Sequence, residues 1–173
     1  MITIAMSKVV RSPRARVWRA LVTPGELIRW DARRVALEEP APDYPAPGRP
    51  AHWRCVLGSV TVPHSEDPIE VVPAQRLRSA VRLGSFHFEE TYTLADEEPG
   101  GTRLSLRLVA KNSVPMLGGE LDRFDVRRLA AERVDETLAW VAKWCEQADE
   151  GRAQRAEGER GRTAGDRSRR DSS

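Results

Sequence analysis

Residues 76–94 read RLRSAVRLGSFHFEETYTL, and the pair Gly84-Ser85 in the middle of this stretch decides how it folds. On either side of it the residues alternate between apolar and polar, as in a strand with one buried face. Glycine followed by serine between two such runs signals a two-residue hairpin turn of the type II′ kind, because glycine takes the positive-φ first position without strain. The turn fixes the register: Leu83 faces Phe86, Val81 faces Phe88, Ser79 faces Glu90 and Leu77 faces Tyr92, all on one face of the sheet. The apolar members make that face the inner one and leave Arg76, Arg78, Arg82, His87 and Glu89 outside. Glu90 and Tyr92 are then the anomalies on a face of Leu, Val and Phe.

The same punctuation orders the rest of the chain. Ile2 to Val10 suits a first strand. Ser12 fits an N-cap with Pro13 at the first helical position, opening a short helix through Val22, and Thr23-Pro24 repeats the signal for a second helix ending near Trp30. Residues 33–38 read as a second strand. The segment 40–50, PAPDYPAPGRP, holds five of the twelve prolines and reads as a stiff exposed loop. In HWRCVLGSVTV, residues 52–62, the apolar set Trp53, Cys55 and Leu57 changes phase to Val60 and Val62, and the spacing predicts a β-bulge at Gly58. Ser65 to Pro68 reads as a turn and Ile69 to Val72 as a short strand. A longer turn over 96–101 leads to a half-buried last strand, Arg103 to Ala110, in which Leu104, Leu106 and Leu108 alternate with Arg103, Ser105 and Arg107.

After Gly118-Gly119 the pattern becomes helical for about 28 residues. Ala131, Val134, Leu138, Val141 and Cys145 fall on one stripe, and Val126, Leu129, Trp140 and Trp144 on a second. Asp125, Arg128, Glu132, Asp135, Lys143 and Glu146 cluster opposite. The apolar face spans about half the circumference, wider than the ~100° of an ordinary surface helix, so something concave must wrap it, and the curved sheet is the candidate. The last 25 residues, 149–173, mix seven Arg with six acids and contain no aromatic, Leu, Ile, Val or Met. Such a composition cannot offset its ordering entropy, which predicts a disordered charged tail and a folded domain over 1–148.

A chain of 173 residues suffices for one domain with a sizeable core and is too short for two ordinary ones. Its 28 basic and 26 acidic residues leave a net charge of +2, without the basic excess of a protein that grips duplex nucleic acid by its phosphates. No apolar run approaches the roughly 18 residues needed to span a membrane. MITIAMSKVV at the N-terminus lacks the apolar stretch and cleavage site of a secretory signal. Two cysteines, Cys55 and Cys145, make no disulfide framework, which fits a reducing, cytoplasmic setting.

One strand, two short helices, six antiparallel strands and a long C-terminal helix form a known order. VVRSPRARVWRALVTPGELIRW at 9–30, IEVVPAQRLRSAVRLGSFHFEETYTL at 69–94, GGTRLSLRL at 100–108 and the terminal helix through Trp144 carry it. In this the chain resembles the START-like SRPBCC superfamily, the helix-grip fold, and within it the polyketide cyclase/dehydratase and lipid-transport branch. The resemblance covers residues 1–148. It implies an α+β domain whose curved seven-stranded antiparallel sheet wraps the long helix around a mostly apolar cavity. Members bind lipids, quinones, polyketides, plant hormones or partner proteins, and some catalyse cyclisation or dehydration. No catalytic motif runs through the whole superfamily.

A carboxylate on an apolar face must find partners or shift its pKa upward, because burial disfavours the charged form. Three roles fit Glu90: an ion pair with Arg127 or Arg133 of the helix, an anchor for a ligand hydroxyl or carbonyl, or a general acid or base with Tyr92 as an orienting donor. Glu90 and Tyr92 are the candidate catalytic pair, and Trp30, Trp53, Cys55, Ser79, Phe88, Arg127 and Arg133 are the candidate ligand contacts. Cys55 reads as a small buried hydrophobe. His52 and Cys55 fall on opposite faces of a strand, and His64 with Glu66 and Asp67 reads as a polar turn, so no metal site is expected. There is no phosphate-binding glycine loop, no Gly-x-Ser-x-Gly elbow and no Cys/His nucleophile arrangement.

The expectation is therefore a carrier or sensor for a small hydrophobic or amphipathic ligand, needing no cofactor, binding no nucleic acid and making no stable membrane insertion. Two alternatives stay open: a cyclase/dehydratase-like enzyme using Glu90 and Tyr92, and a protein-interaction module similar to the chaperone-activating members. A homodimer or a protein partner is compatible with either.

Overall fold

A computed structural model describes residues 1–110 and 123–170, with side chains over 1–110 and 126–151. The elements in order are β1 (Ile2–Val10), α1 (Arg14–Val22), α2 (Pro24–Trp30), β2 (Arg34–Leu37), β3 (Ala51–Leu57), β4 (Val60–Val72), β5 (Arg76–Leu83), β6 (Phe86–Glu97), β7 (Gly101–Ala110) and α3 (Arg123–Arg170). All seven strands form one antiparallel sheet in the order β1-β7-β6-β5-β4-β3-β2, so β1 joins the last strand and β2 ends the other edge. The sheet curves around α3, which lies over β1 and β7 and against α1. This is the α+β helix-grip architecture that the sequence predicts.

The β5–β6 hairpin has the predicted register, from Leu83 opposite Phe86 through Val81/Phe88 and Ser79/Glu90 to Leu77/Tyr92. Gly84 has φ +57° while Ser85 stays at negative φ, the signature of a type II′ turn. Gly58-Ser59 differs from expectation. It is a second two-residue hairpin turn, joining β3 to β4 with Leu57 opposite Val60, and not a bulge. A two-residue turn places positions three apart on one face, which imitates in sequence the phase change of a bulge.

The bulge itself lies further on. β4 runs unbroken through Ser65 to Pro68, where a turn is expected, and its register shifts between Pro68 and Glu70. His64, Glu66 and Pro68 are thereby strand residues with buried side chains. Ser12 is also displaced from its expected role. Pro13 is the N-cap of α1, the Ser12 hydroxyl donates to Asp149 of α3, and the Ser12 carbonyl accepts from Thr102 Oγ1 at 2.8 Å. Thr23 and Pro24 open α2 as predicted.

Val134, Leu138, Val141, Ala142 and Cys145 of α3 are buried, whereas Leu129, expected on the second apolar stripe, is 49% exposed. Gly118-Gly119 lie outside the described residues. The backbone of α3 is helical to Arg170. Among the described residues no helix is long and apolar enough to cross a membrane.

Candidate functional site

The inner face of the sheet changes character from one edge to the other. Over β7 it carries Leu104, Leu106 and Leu108, all buried. Towards β2 it becomes ionic. Arg34 sits where the β2 register slips against β3; its side chain is 2% exposed and points inward with that of its partner Cys55. Its guanidinium donates to Asp31 Oδ2 at 3.1 Å and Glu66 Oε2 at 2.9 Å, and stacks 4.6 Å above the Trp53 ring. Asp31, the C-cap of α2, also accepts from Arg33 Nε at 2.8 Å. Burial alone would raise the Asp31 carboxyl, but Arg34 and Arg33 overcome it and hold the group at about 2. Burial works against the Arg34 charge, yet Glu66 and Asp31 hold its pKa well above the ordinary value.

A second ion pair ties the sheet to the helix. Arg133 Nε of α3 donates to Glu90 Oε1 of β6 at 3.3 Å, with the guanidinium 5.5 Å from the Phe88 ring centroid. Burial pushes the Glu90 carboxyl up, and Arg133 pulls it part of the way back. Tyr92 lies two residues along the same face, its phenol raised well above its ordinary value by burial and by the Glu90 charge. Arg33 donates to Thr137 Oγ1 of α3 at 2.7 Å and lies 4.7 Å from the Trp140 centroid, closing the network.

His64 and Trp53 face each other across β3 and β4. Burial first, then the charges of Arg34 and Arg133, lower the His64 pKa to about 2, so the imidazole is neutral. Burial pushes the Cys55 thiol up to about 11, so it too is neutral, and its sulfur lies 3.2 Å from His64 Nδ1. Three buried atoms of this region lack a hydrogen-bond partner among the described residues: Trp53 Nε1, His64 Nε2 and Ser79 Oγ; the buried Tyr44 hydroxyl lies beside Glu66. Each such group costs about 1–3 kcal/mol when left unsatisfied in a dry interior.

The structure thus gathers Glu90, Tyr92, Trp53, Cys55, Ser79, Phe88 and Arg133 on or against one face. Trp30 is buried beside α1, where its indole N–H donates to the Ala20 carbonyl at 2.9 Å. Arg127 is exposed and lines a concavity of about 430 Å³ with Thr3, Ile4, Ala5, Met6, Arg128 and Ala131, between β1 and α3. A larger groove, about 520 Å³, opens on the outer face among His52, Ser65, Asp67, Arg82, His87 and Glu89. Sequence reasoning missed Asp31, Arg33, Arg34, Tyr44, His64 and Glu66. The alternation His64, Glu66, Pro68 carried a signal, hidden because these residues resemble a turn. Tyr44 hides in the proline-rich loop, where it is buried at 7% exposure among exposed neighbours.

Residues 11–126, more than half of the chain, match the family described as Activator of Hsp90 ATPase homolog 1-like protein. The chain belongs to this family. A solved structure from Thermus thermophilus is 25% identical, with a TM-score of 0.65 over 84% of this chain and 98% of the other. A START superfamily protein from Mycobacterium smegmatis shares the fold at a TM-score of 0.67 and 12% identity, over 84% of this chain and 98% of that one. A protein of the dynemicin biosynthetic locus does so at 0.61 and 18% identity, over 86% of this chain and 48% of its own. No curated protein matches. The family and these likenesses make the fold a START/SRPBCC type.

Proposed function

We propose that the protein binds a small amphipathic molecule between the inner face of the sheet and α3, as a carrier or sensor in the cytoplasm, with residues 1–148 as the binding unit. The observation that carries this reading is the half-ionic inner face with three buried polar atoms left without partners among the described residues. A domain that needed only to fold gains nothing from such a face, because apolar residues of similar volume stabilise as well as a buried ion pair or better. A bound molecule with an apolar body and a polar end would satisfy those atoms while the leucines of β7 meet the rest. The START-type fold is a further support.

The test is native mass spectrometry of the freshly purified full-length protein, followed by solvent extraction of any released compound. A stoichiometric small molecule is the expected result. A clean protein mass, with no uptake when lipid, quinone or aromatic polyketide mixtures are added back, would end this reading.

The raised Glu90 carboxyl beside Tyr92 favours an enzymatic second reading, in which this pair moves protons on a bound polyketide-like substrate. Glu90→Gln separates the two. A carrier loses severalfold in affinity through the altered Arg133 contact, whereas an enzyme keeps binding and loses most of its turnover.

A further inference from the structure

Trp53 and His64 project side by side from adjacent strands into the ionic half of the interior, and neither Trp53 Nε1 nor His64 Nε2 has a partner among the described residues. Indole nitrogen is a donor only. The character of His64 Nε2 follows from the other ring nitrogen. With the thiol and the imidazole both neutral, the Cys55–His64 contact is either S–H donating to Nδ1 or Nδ1–H donating to sulfur. Sulfur is a weak acceptor and imidazole nitrogen a good one, so the first arrangement is favoured and the ring proton sits on Nε2. Two N–H donors on facing strand positions, both buried, then lack an acceptor.

Among the described residues the charges nearby are already matched. Arg34 is held by Asp31 and Glu66, Arg33 by Asp31, and Arg133 by Glu90, which sets three guanidiniums against three buried carboxyl groups, with the exposed Glu136 a further 4.0 Å partner of Arg33. An anionic oxygen entering here would add a fourth negative group with no cation of its own. A neutral oxygen would not. We propose that Trp53 and His64 form a two-donor clamp for one neutral carbonyl oxygen of the ligand, a ketone, quinone, ester or amide. This rests on the ligand-binding reading above and specifies the polar end of the molecule bound.

Three probes of one shape test it by calorimetric titration of the full-length protein: methyl naphthyl ketone, ethylnaphthalene and naphthoate. The ketone should bind roughly tenfold tighter than the hydrocarbon, the gain of about one well-satisfied hydrogen-bonding site, and tighter than the anion. Trp53→Phe and His64→Leu should each shrink the ratio of ketone to hydrocarbon affinity to about twofold or less. Independently of any ligand, long-range proton–nitrogen correlation spectra of the isotope-labelled protein should show the His64 proton on Nε2. A proton on Nδ1, or equal affinity for ketone and hydrocarbon, overturns the clamp and leaves the ligand-binding reading standing. Tighter binding of naphthoate overturns the neutral assignment. Failure of all three probes to bind overturns the clamp, and the native mass spectrum with its add-back decides the ligand-binding reading separately.

Discussion

The two halves of the sheet's inner face are built on opposite principles. Against β1 and β7 the interior is leucine, isoleucine and valine: Ile4, Val10, Leu104, Leu106 and Leu108 meet Val134, Leu138 and Val141 of α3 in one apolar cluster. Across β2 to β5 the same face carries Arg34, His64, Glu66 and Ser79, with Glu90 of β6 as the seam. Each apolar side chain contributes by leaving water, and no partner decides whether it does. The ionic half gives favourable energy only while its members stay paired, because an isolated buried charge is worth less than nothing. The apolar half holds the fold, and the ionic half offers chemistry at the expense of tolerance.

The sharpest way to break the comparison is to remove the hub of the ionic half. Arg34→Leu leaves Glu66 buried without its 2.9 Å partner and should cost about 3–5 kcal/mol in urea unfolding. Replacing Arg34 and Glu66 together by leucine should recover most of that loss, since Asp31 keeps Arg33 at 2.8 Å. A double variant as unstable as the single one would mean the pair contributes shape rather than charge. Next in size is Leu104→Ala in the apolar half, expected to cost about 2–5 kcal/mol by transfer and cavity terms together. No second-site change of charge should rescue it, and a rescue would show that the halves are coupled.

The apolar half was legible from sequence almost residue by residue. Leu104, Leu106 and Leu108 alternate with polar neighbours, and the type II′ turn at Gly84 alone set the register that brings Ser79 opposite Glu90. Glu90 and Tyr92 stood out because they interrupt an apolar face, and Arg133 because it falls beside the helix stripe. The rest of the ionic half was hidden for a physical reason. A buried charged residue in sequence looks like a surface residue until its partner is known, and Arg34, Asp31 and Glu66 are partners only through strand pairing and a helix cap. Reading Ser65 to Pro68 as a turn took His64 and Glu66 out of the strand. One misplaced turn thus concealed half of the site, although the strand count stayed right.

The subtlest difference between the halves is in pH dependence. His64 is neutral in the fold, with its pKa lowered from 6.5 to about 2 by burial and by Arg34 and Arg133. The unfolded chain takes up a proton below its ordinary value, and the folded one does not. The stability contributed by the unprotonated ring is therefore fully present above pH 6.5 and falls as pH drops below it, by about 1.4 kcal/mol per pH unit at the steepest. Asp31, held at about 2, adds its own loss only below its ordinary 3.8, so the window between these two ordinary values isolates His64 from it. The measurement is urea unfolding of the parent and His64→Gln across that window, with Leu104→Ala as the apolar-half control. The parent's stability should fall relative to His64→Gln with acidification, while Leu104→Ala stays parallel to the parent. Parallel curves for all three would mean that the imidazole is solvated or paired in the folded state, and the ionic half would then be less dry than its packing indicates.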